Sequence, residues 1–531
     1  MSVQLDILKY GYSTAANNDY LAIGNPSSFF TSSYVGTGSV FLYQYSLNND
    51  NYVYLNKLKK SYSYSGELLL SADTSSLNET LLNIDTSSVV NGLNIILDSP
   101  GYSLTPVADG YGISVSISSS TLVVGCPYFY YSYISNTTII KDTGSVEIFD
   151  LSNISTNSTP TYVIYNSSSL DINDTFGESV SISYNNFLTS SIIVVGSSGA
   201  NKNTGSIYIF TQSLNSWDLY QTINGQIPNG YFGYDVKYDL SGSNRIVVGN
   251  KTTGSAIFIY EYNVLSSYWE LNDTLDQDRT ITGSLNFINT KPYFPGIQPS
   301  GSNYGNSVSI YGDTIIVGSP NDMYYYEWSG STVLRNRGAV YFWKKCSDAT
   351  DWFLLEKSFG NENILESNNL GYSVDIYNGN AIATSTKDIN QFSSSYINNT
   401  INKRFDCNPN DSVIDTLGQF VYYTSSLSTS LWEIKSVITK KKQYGYPYTT
   451  FGYSSAITDN IVSIGSPLFL VNPNEITSSV YDTINGYSYI YNFNDLVTDY
   501  HIGNVFYRDG KIILSNSGSI FDNLLKDRSN P

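Results

Sequence analysis

Tyr304-Gly305-Asn306-Ser307-Val308-Ser309-Ile310, a turn at Gly312-Asp313, and Thr314-Ile315-Ile316-Val317-Gly318-Ser319-Pro320 decide how this chain is read, together with Gly338-Ala339-Val340-Tyr341-Phe342-Trp343-Lys344 further on. The first run alternates small or polar residues with Val308 and Ile310, the pattern of a strand with two unlike faces. Ile315-Ile316-Val317 is a short β-branched run, which suits a strand buried on both sides. Gly312-Asp313 supplies turn chemistry between the two. The third run is aromatic and β-rich, and Asp351-Trp352-Phe353-Leu354-Leu355 reads as a fourth strand. Four short strands in a meander make one small sheet.

The same four-part pattern recurs along the chain. Its aromatic-Gly opening stands at Tyr10-Gly11, Tyr111-Gly112, Phe176-Gly177, Phe232-Gly233, Tyr304-Gly305 and Phe451-Gly452, with aliphatic versions at Leu370-Gly371 and Ile502-Gly503. The buried second strand returns as Leu21-Ala22-Ile23-Gly24, Leu122-Val123-Val124-Gly125, Ile193-Val194-Val195-Gly196, Ile246-Val247-Val248-Gly249 and Val462-Ser463-Ile464-Gly465, degraded at Ala381-Ile382-Ala383-Thr384. Third strands open on Gly38, Gly144, Gly205, Gly254, Gly338, Gly418 and Gly486, and fourth strands carry Trp217, Trp269, Trp352 and Trp432. A repeat of this kind is one sheet that cannot bury both faces alone, so neighbours must stack.

These units resemble FG-GAP repeats, the blades of the β-propeller in integrin α-subunits. The resemblance implies an all-β propeller of four-stranded antiparallel blades around an axis. It spans nearly the whole chain, so residues 1–531 read as one propeller domain, with a long insertion at 59–110 and a second at 385–417. The final unit, Asn504-Val505-Phe506-Tyr507 to Gly518-Ser519-Ile520-Phe521, lacks a fourth strand, and Val3-Gln4-Leu5-Asp6-Ile7-Leu8 precedes the first Tyr-Gly as an orphan. Pairing them predicts eight blades closed by the N-terminal strand; seven blades is the alternative.

Composition narrows the functions. A net charge of -18 opposes nucleic acid and anionic membrane surfaces as partners. No apolar run is long enough to span a bilayer, and residues 1–9 lack the basic start and apolar core of a secretory leader. Cys126, Cys346 and Cys407 are too far apart for a zinc site or a disulfide framework, and His501 is the only histidine. The Asp-rich calcium loop of integrin-type units is not matched. Asp239-Leu240-Ser241-Gly242-Ser243-Asn244 comes nearest and reads better as a plain turn. No cofactor, metal or catalytic residue is expected.

The long excursions fall in second-to-third and fourth-to-first connections, which a meander places at one end of every blade. Insertions on one face mark a binding face. Two are tyrosine-rich, with Tyr128, Tyr130, Tyr131 and Tyr133 on one and Tyr324, Tyr325, Tyr326 and Trp328 on the other. Such side chains give contact area at low entropic cost. The expectation is a non-enzymatic adhesin on a virion or extracellular surface, holding a cell-surface protein or glycan through these residues. The alternative is a structural component of a viral capsid or appendage that docks to other shell proteins, and a carbohydrate-active enzyme comes third.

Overall fold

A computed structural model describes residues 9–26, 30–31, 34–35, 38–46, 51–60, 93–96, 103–106, 110–135, 138–154, 159–165, 174–214, 216–251, 256–276, 286–288, 303–328, 331–336, 338–345, 351–359, 369–386, 416–426, 431–441, 450–467, 486–492, 496, 503–506 and 511–514. Seven antiparallel blades form a propeller ring. From the axis outward, blade one is Ser13–Ala16, Tyr20–Asn25, Ser39–Ser46 and Asn51–Lys59, and blade two is Val115–Ser118, Thr121–Ser135, Thr138–Asp150 and Tyr162–Tyr165. Blade three is Ser179–Asn185, Ser190–Ser197, Ser206–Ser213 and Ser216–Asn224, and blade four is Val236–Tyr238, Arg245–Val248, Ala256–Asn263 and Tyr268–Asp276. Blade five is Ser307–Tyr311, Thr314–Ser319, Ala339–Lys345 and Trp352–Phe359, with Asn286–Ile288 added in parallel at its outer edge. Blade six is Asn369–Tyr377, Asn380–Thr386, Thr416–Ser425 and Trp432–Lys441. Blade seven is Ser454–Ile457, Ile461–Ser466, Tyr487–Asn492 and Gly503–Phe506, with Lys511–Leu514 as a fifth strand.

The expected eighth blade is therefore corrected. Gly503–Phe506 pairs with Tyr487–Asn492, and Lys511–Leu514 pairs with Gly503–Phe506. The open edge of Tyr487–Asn492, the third strand of blade seven, takes Gly503–Phe506 as its partner, so these residues complete blade seven and do not start a new one. The segment that looked like a first strand is consumed as a fourth. The proposed closing strand at residues 3–8 lies outside the described residues. Blade seven nevertheless meets blade one directly, with Ser454 Oγ donating to the Gly11 carbonyl at 3.0 Å.

The aromatic-Gly step is a turn. Backbone N–H groups of Ile113, Glu178, Tyr234 and Asn306 donate to the carbonyls of Gly110, Thr175, Tyr231 and Asn303, at 2.9 to 3.1 Å. Gly112, Gly177, Gly233 and Gly305 hold φ between 85° and 94°. A positive φ at the third residue is the mark of a type II turn, and glycine adopts it without strain. The turn buries the aromatic ring between strands: Tyr304 meets Tyr341 edge-on at 5.0 Å, and Phe176 meets Tyr208 at 5.3 Å. Such pairs contribute about 0.5–1.5 kcal/mol beyond their buried area.

The glycine ending each second strand has a different cause. A Cβ on Gly24, Gly125 or Gly196 would lie 2.1 Å from the turn carbonyl of Gly112, Gly177 or Gly233 in the next blade. Those carbonyls accept from Ser13 Oγ, Ser114 Oγ and Ser179 Oγ at 2.8, 2.8 and 2.9 Å, so in blades one to three a serine hydroxyl stitches the blade to its neighbour. Blade six has Thr384 in the glycine's place. The Thr384 hydroxyl bonds both the N–H and the carbonyl of Ser373, at 3.1 and 3.2 Å.

Core packing runs between blades. Ile315 and Val317 of blade five pack with Val247, Ile257 and Ile259 of blade four, all fully buried; each such side chain contributes roughly 1.5–3 kcal/mol. Trp432 stacks on Phe342 of the preceding blade at 4.8 Å. Five outer strands carry a one-residue bulge, which re-aims the next side chain. Behind it Gln221 Oε1, Asp273 Oδ2 and Glu356 Oε2 accept the N–H of Trp269, Trp352 and Trp432 in the following blade, at 2.9, 3.3 and 2.7 Å.

Candidate functional site

In an antiparallel four-stranded blade, second-to-third and fourth-to-first connections share one end. The extra elements lie in these connections: the hairpins Phe30–Thr31 with Tyr34–Val35, Leu93–Ile96 with Ser103–Pro106, and Met323–Trp328 with Ser331–Asn336, and the elongated middle strands of blade two. The tyrosine-rich segments are not irregular loops, as a reading of their composition implies, but strand pairs. Beyond a register shift between Cys126 and Tyr130, Tyr130 pairs with Thr143, Tyr131 with Asp142 and Tyr133 with Ile140, while Tyr128 falls inside the shift. Tyr324, Tyr325, Tyr326 and Trp328 pair with Arg335, Leu334, Val333 and Ser331. β-branched and aromatic residues sustain both hairpins by ordinary strand preference.

The two tyrosine-rich hairpins, in blades two and five, each stand above a buried lysine–carboxylate pair. Asp322, immediately before Met323, accepts from Lys357 Nζ at 2.9 Å and from the Tyr341 hydroxyl. The Lys357 ammonium also sits 4.6 Å from the Tyr341 ring centre. In blade two, Glu147 lies 3.4 Å from Lys60 Nζ of blade one, which also donates to Ser145 Oγ, and both side chains are at most 1 % exposed. A buried pair of this kind is costly to break from one side. It holds the strands below each hairpin in one arrangement.

The second feature of this end is the axial channel, a cavity of about 280 Å³ lined by the first strands of all seven blades. The residue after each aromatic-Gly pair opens it: Tyr12, Ile113, Glu178, Tyr234, Asn306, Tyr372 and Tyr453. All seven are half-buried, whereas the glycine before each is buried. The turn causes this, because it tucks the aromatic inward and hands the next side chain to the axis. The rings of Tyr12 and Tyr453 stand 4.6 Å apart, and those of Tyr453 and Tyr372 5.1 Å. Burial raises the pKa of Tyr12 and of Tyr453, so both stay protonated phenols. Glu178 Oε2 accepts from Thr175 Oγ1 at 3.0 Å and from Ser198 Oγ, and burial raises its pKa. Lys251 Nζ donates to the Tyr234 hydroxyl at 2.9 Å.

Deeper in, charged groups cross between blades. Lys237 Nζ of blade four reaches Asp375 Oδ1 of blade six at 3.0 Å, and Asp375 also accepts from Ser309 Oγ at 2.7 Å and the Ile457 N–H at 3.0 Å. Burial opposes the Lys237 charge, but Asp375 outweighs it and the pKa is raised. Asp235 Oδ2 accepts the Val308 N–H at 2.7 Å, and burial pushes its pKa up to about 6. One polar ladder thus links blades four to seven. Asp239 closes its own turn, accepting from Ser241 N at 2.8 Å, Ser241 Oγ at 2.8 Å and Ser243 Oγ, and takes the Gly312 N–H of blade five at 3.1 Å. Its carboxylate is engaged by protein donors.

The channel residues escaped the sequence reading, although a signal existed. Tyr recurs directly after the opening pair, as Tyr12, Tyr234, Tyr372 and Tyr453. His501, Cys346 and Cys407 lie outside the described residues, Cys126 is buried, and no helix among the described residues is long and apolar enough to cross a membrane. Fold and site define a seven-bladed β-propeller with an axial channel and strand hairpins rising at one end. No protein-family model matches the chain, and no curated protein matches it in sequence.

Proposed function

We propose that this is a non-enzymatic recognition protein, kin to the FG-GAP-repeat propellers and displayed on a virion or extracellular surface. In this reading it holds a cell-surface protein or glycan through the hairpin face. Tyr128, Tyr130, Tyr131, Tyr133, Tyr324, Tyr325, Tyr326 and Trp328 supply the contacts. The observation that carries it is the placement of two tyrosine-bearing hairpins at one end of the ring, in blades whose bases are fixed by buried ion pairs. Tyrosine offers a large amphipathic surface with few torsions to freeze, and a fixed base lowers the ordering cost of binding.

The test is binding of labelled full-length protein to intact cells, beside a variant with Tyr128, Tyr130, Tyr324 and Tyr326 changed to Ser. Saturable binding that the folded variant has lost is the expected result. A second reading rests on the pairing of Met323–Trp328 with Ser331–Asn336 as a separate two-stranded sheet. Strand edges of this kind template pairing with another chain, as docking into a particle shell would require. Failure to bind any cell tested, together with defined complexes with other particle proteins, would favour that structural role.

A further inference from the structure

We propose that the mouth of the axial channel is a binding site for one neutral sugar ring of a glycan. Four observations converge on that ligand. Tyr12, Tyr453 and Tyr372 form a row of mutually tilted rings, with centres 4.6 and 5.1 Å and planes 47° and 49° apart, that stays uncharged because burial disfavours the phenolates of Tyr12 and Tyr453. Opposed to an apolar surface of this type, a sugar presents its C–H face and keeps its hydroxyls for polar groups. Those groups are present: Glu178 and Asn306 line the same cavity, Glu178 takes both its hydroxyl donors on Oε2, and Asn306 Nδ2 donates to the Tyr372 carbonyl at 3.0 Å.

Charge and size select among ligands. Lys251, bonded to the Tyr234 hydroxyl at the rim, acts electrostatically on the Glu178 carboxylate, so the acid already has a cation near it. An added cation would compete with that lysine, and an anion would meet Glu178 within a chain of net charge -18. A neutral hydroxylated ring meets neither penalty. The cavity of about 280 Å³ is at or below the small end of ligand pockets, which run from roughly 300 to 1,000 Å³. That suits a single ring entering end-on rather than a peptide. The site is distinct from the hairpin tyrosines, so its existence does not depend on their role.

Saturation-transfer NMR on the full chain, with the methyl glycosides of glucose, galactose, mannose, fucose and N-acetylglucosamine and with n-butylammonium, tests this. The expected result is saturable binding of at least one glycoside, weakened about tenfold or more by Tyr453→Ala and by Glu178→Gln, since each contact contributes on the order of 1.4 kcal/mol. The Tyr324→Ser/Tyr326→Ser variant should bind that glycoside as the parent does. Glu178→Gln preserves size and shape, so a misfolded Tyr453→Ala does not remove the test. No saturable signal from any glycoside, binding unchanged in both channel variants, or binding of n-butylammonium alone would each overturn the proposal. Loss of cell binding in the hairpin variant with glycoside binding intact would separate the two sites.

Discussion

At the scale of single residues, the chain uses few charges and places several where they are hard to lose. Lys357 and Asp322 are 7 % and 3 % exposed, so removing one partner strands the other in a poorly solvated place. Lys357→Met should lower unfolding stability by about 3–5 kcal/mol, whereas Lys357→Met combined with Asp322→Leu should recover much of that loss. Urea unfolding of the three proteins measures it, and a double variant no more stable than the single would refute the assignment. The glycines make the opposite point, because what they avoid is contact. Gly196 sits where a Cβ would meet the Gly233 carbonyl at 2.1 Å, and blade six alone has a larger residue, Thr384, at the equivalent position.

At the scale of elements, a blade is complete only when its third strand has a partner. Gly503–Phe506 gives blade seven that partner, and Lys511–Leu514 covers it in turn. A chain ending at residue 506 should keep the ring and melt close to the parent. One ending at residue 492 uncovers the edge of Tyr487–Asn492 and should lose about 1.5–3 kcal/mol for each large apolar side chain exposed, with aggregation through the open edge. Thermal melts and light scattering distinguish the two, and equal stability of both truncations would contradict the role given to the fourth strand. Bulges work at the same scale: by shifting register once per outer strand they aim Gln221, Asp273 and Glu356 at the backbone of the next blade.

At the scale of the whole molecule, acids buried at blade junctions couple stability to pH. Asp235 is pushed up to about 6 and Glu356 to about 7, in both cases chiefly by burial. Between their ordinary values near 4 and these raised ones, the folded protein holds protons that the unfolded chain has released. Stability therefore falls as pH rises through this window and levels off above about 7. Urea-unfolding free energies should be higher at about pH 5 than at about pH 8, with the difference shrinking in Asp235→Asn/Glu356→Gln. A slope unchanged in that variant would assign the effect to other groups.

Local signals in the chain are enough to specify the blade. Alternation in Val308 and Ile310, the β-branched run Ile315-Ile316-Val317 and the aromatic-Gly turns are local signals, set by residue spacing and φ preference within one unit. Stacking also followed, because a sheet apolar on both faces needs two neighbours. Tertiary structure alone decided the number of blades: Asn504-Val505-Phe506 has the residues of either a first or a fourth strand, and only the open edge of Tyr487–Asn492 selects between them. It alone revealed the channel mouth as well. Tyr12, Glu178, Asn306, Tyr372 and Tyr453 are separated by scores to hundreds of residues, and the repeat position they share does not by itself say which way they point. They meet because every turn in the ring points its following side chain at the same axis, a direction that exists only once the ring has formed.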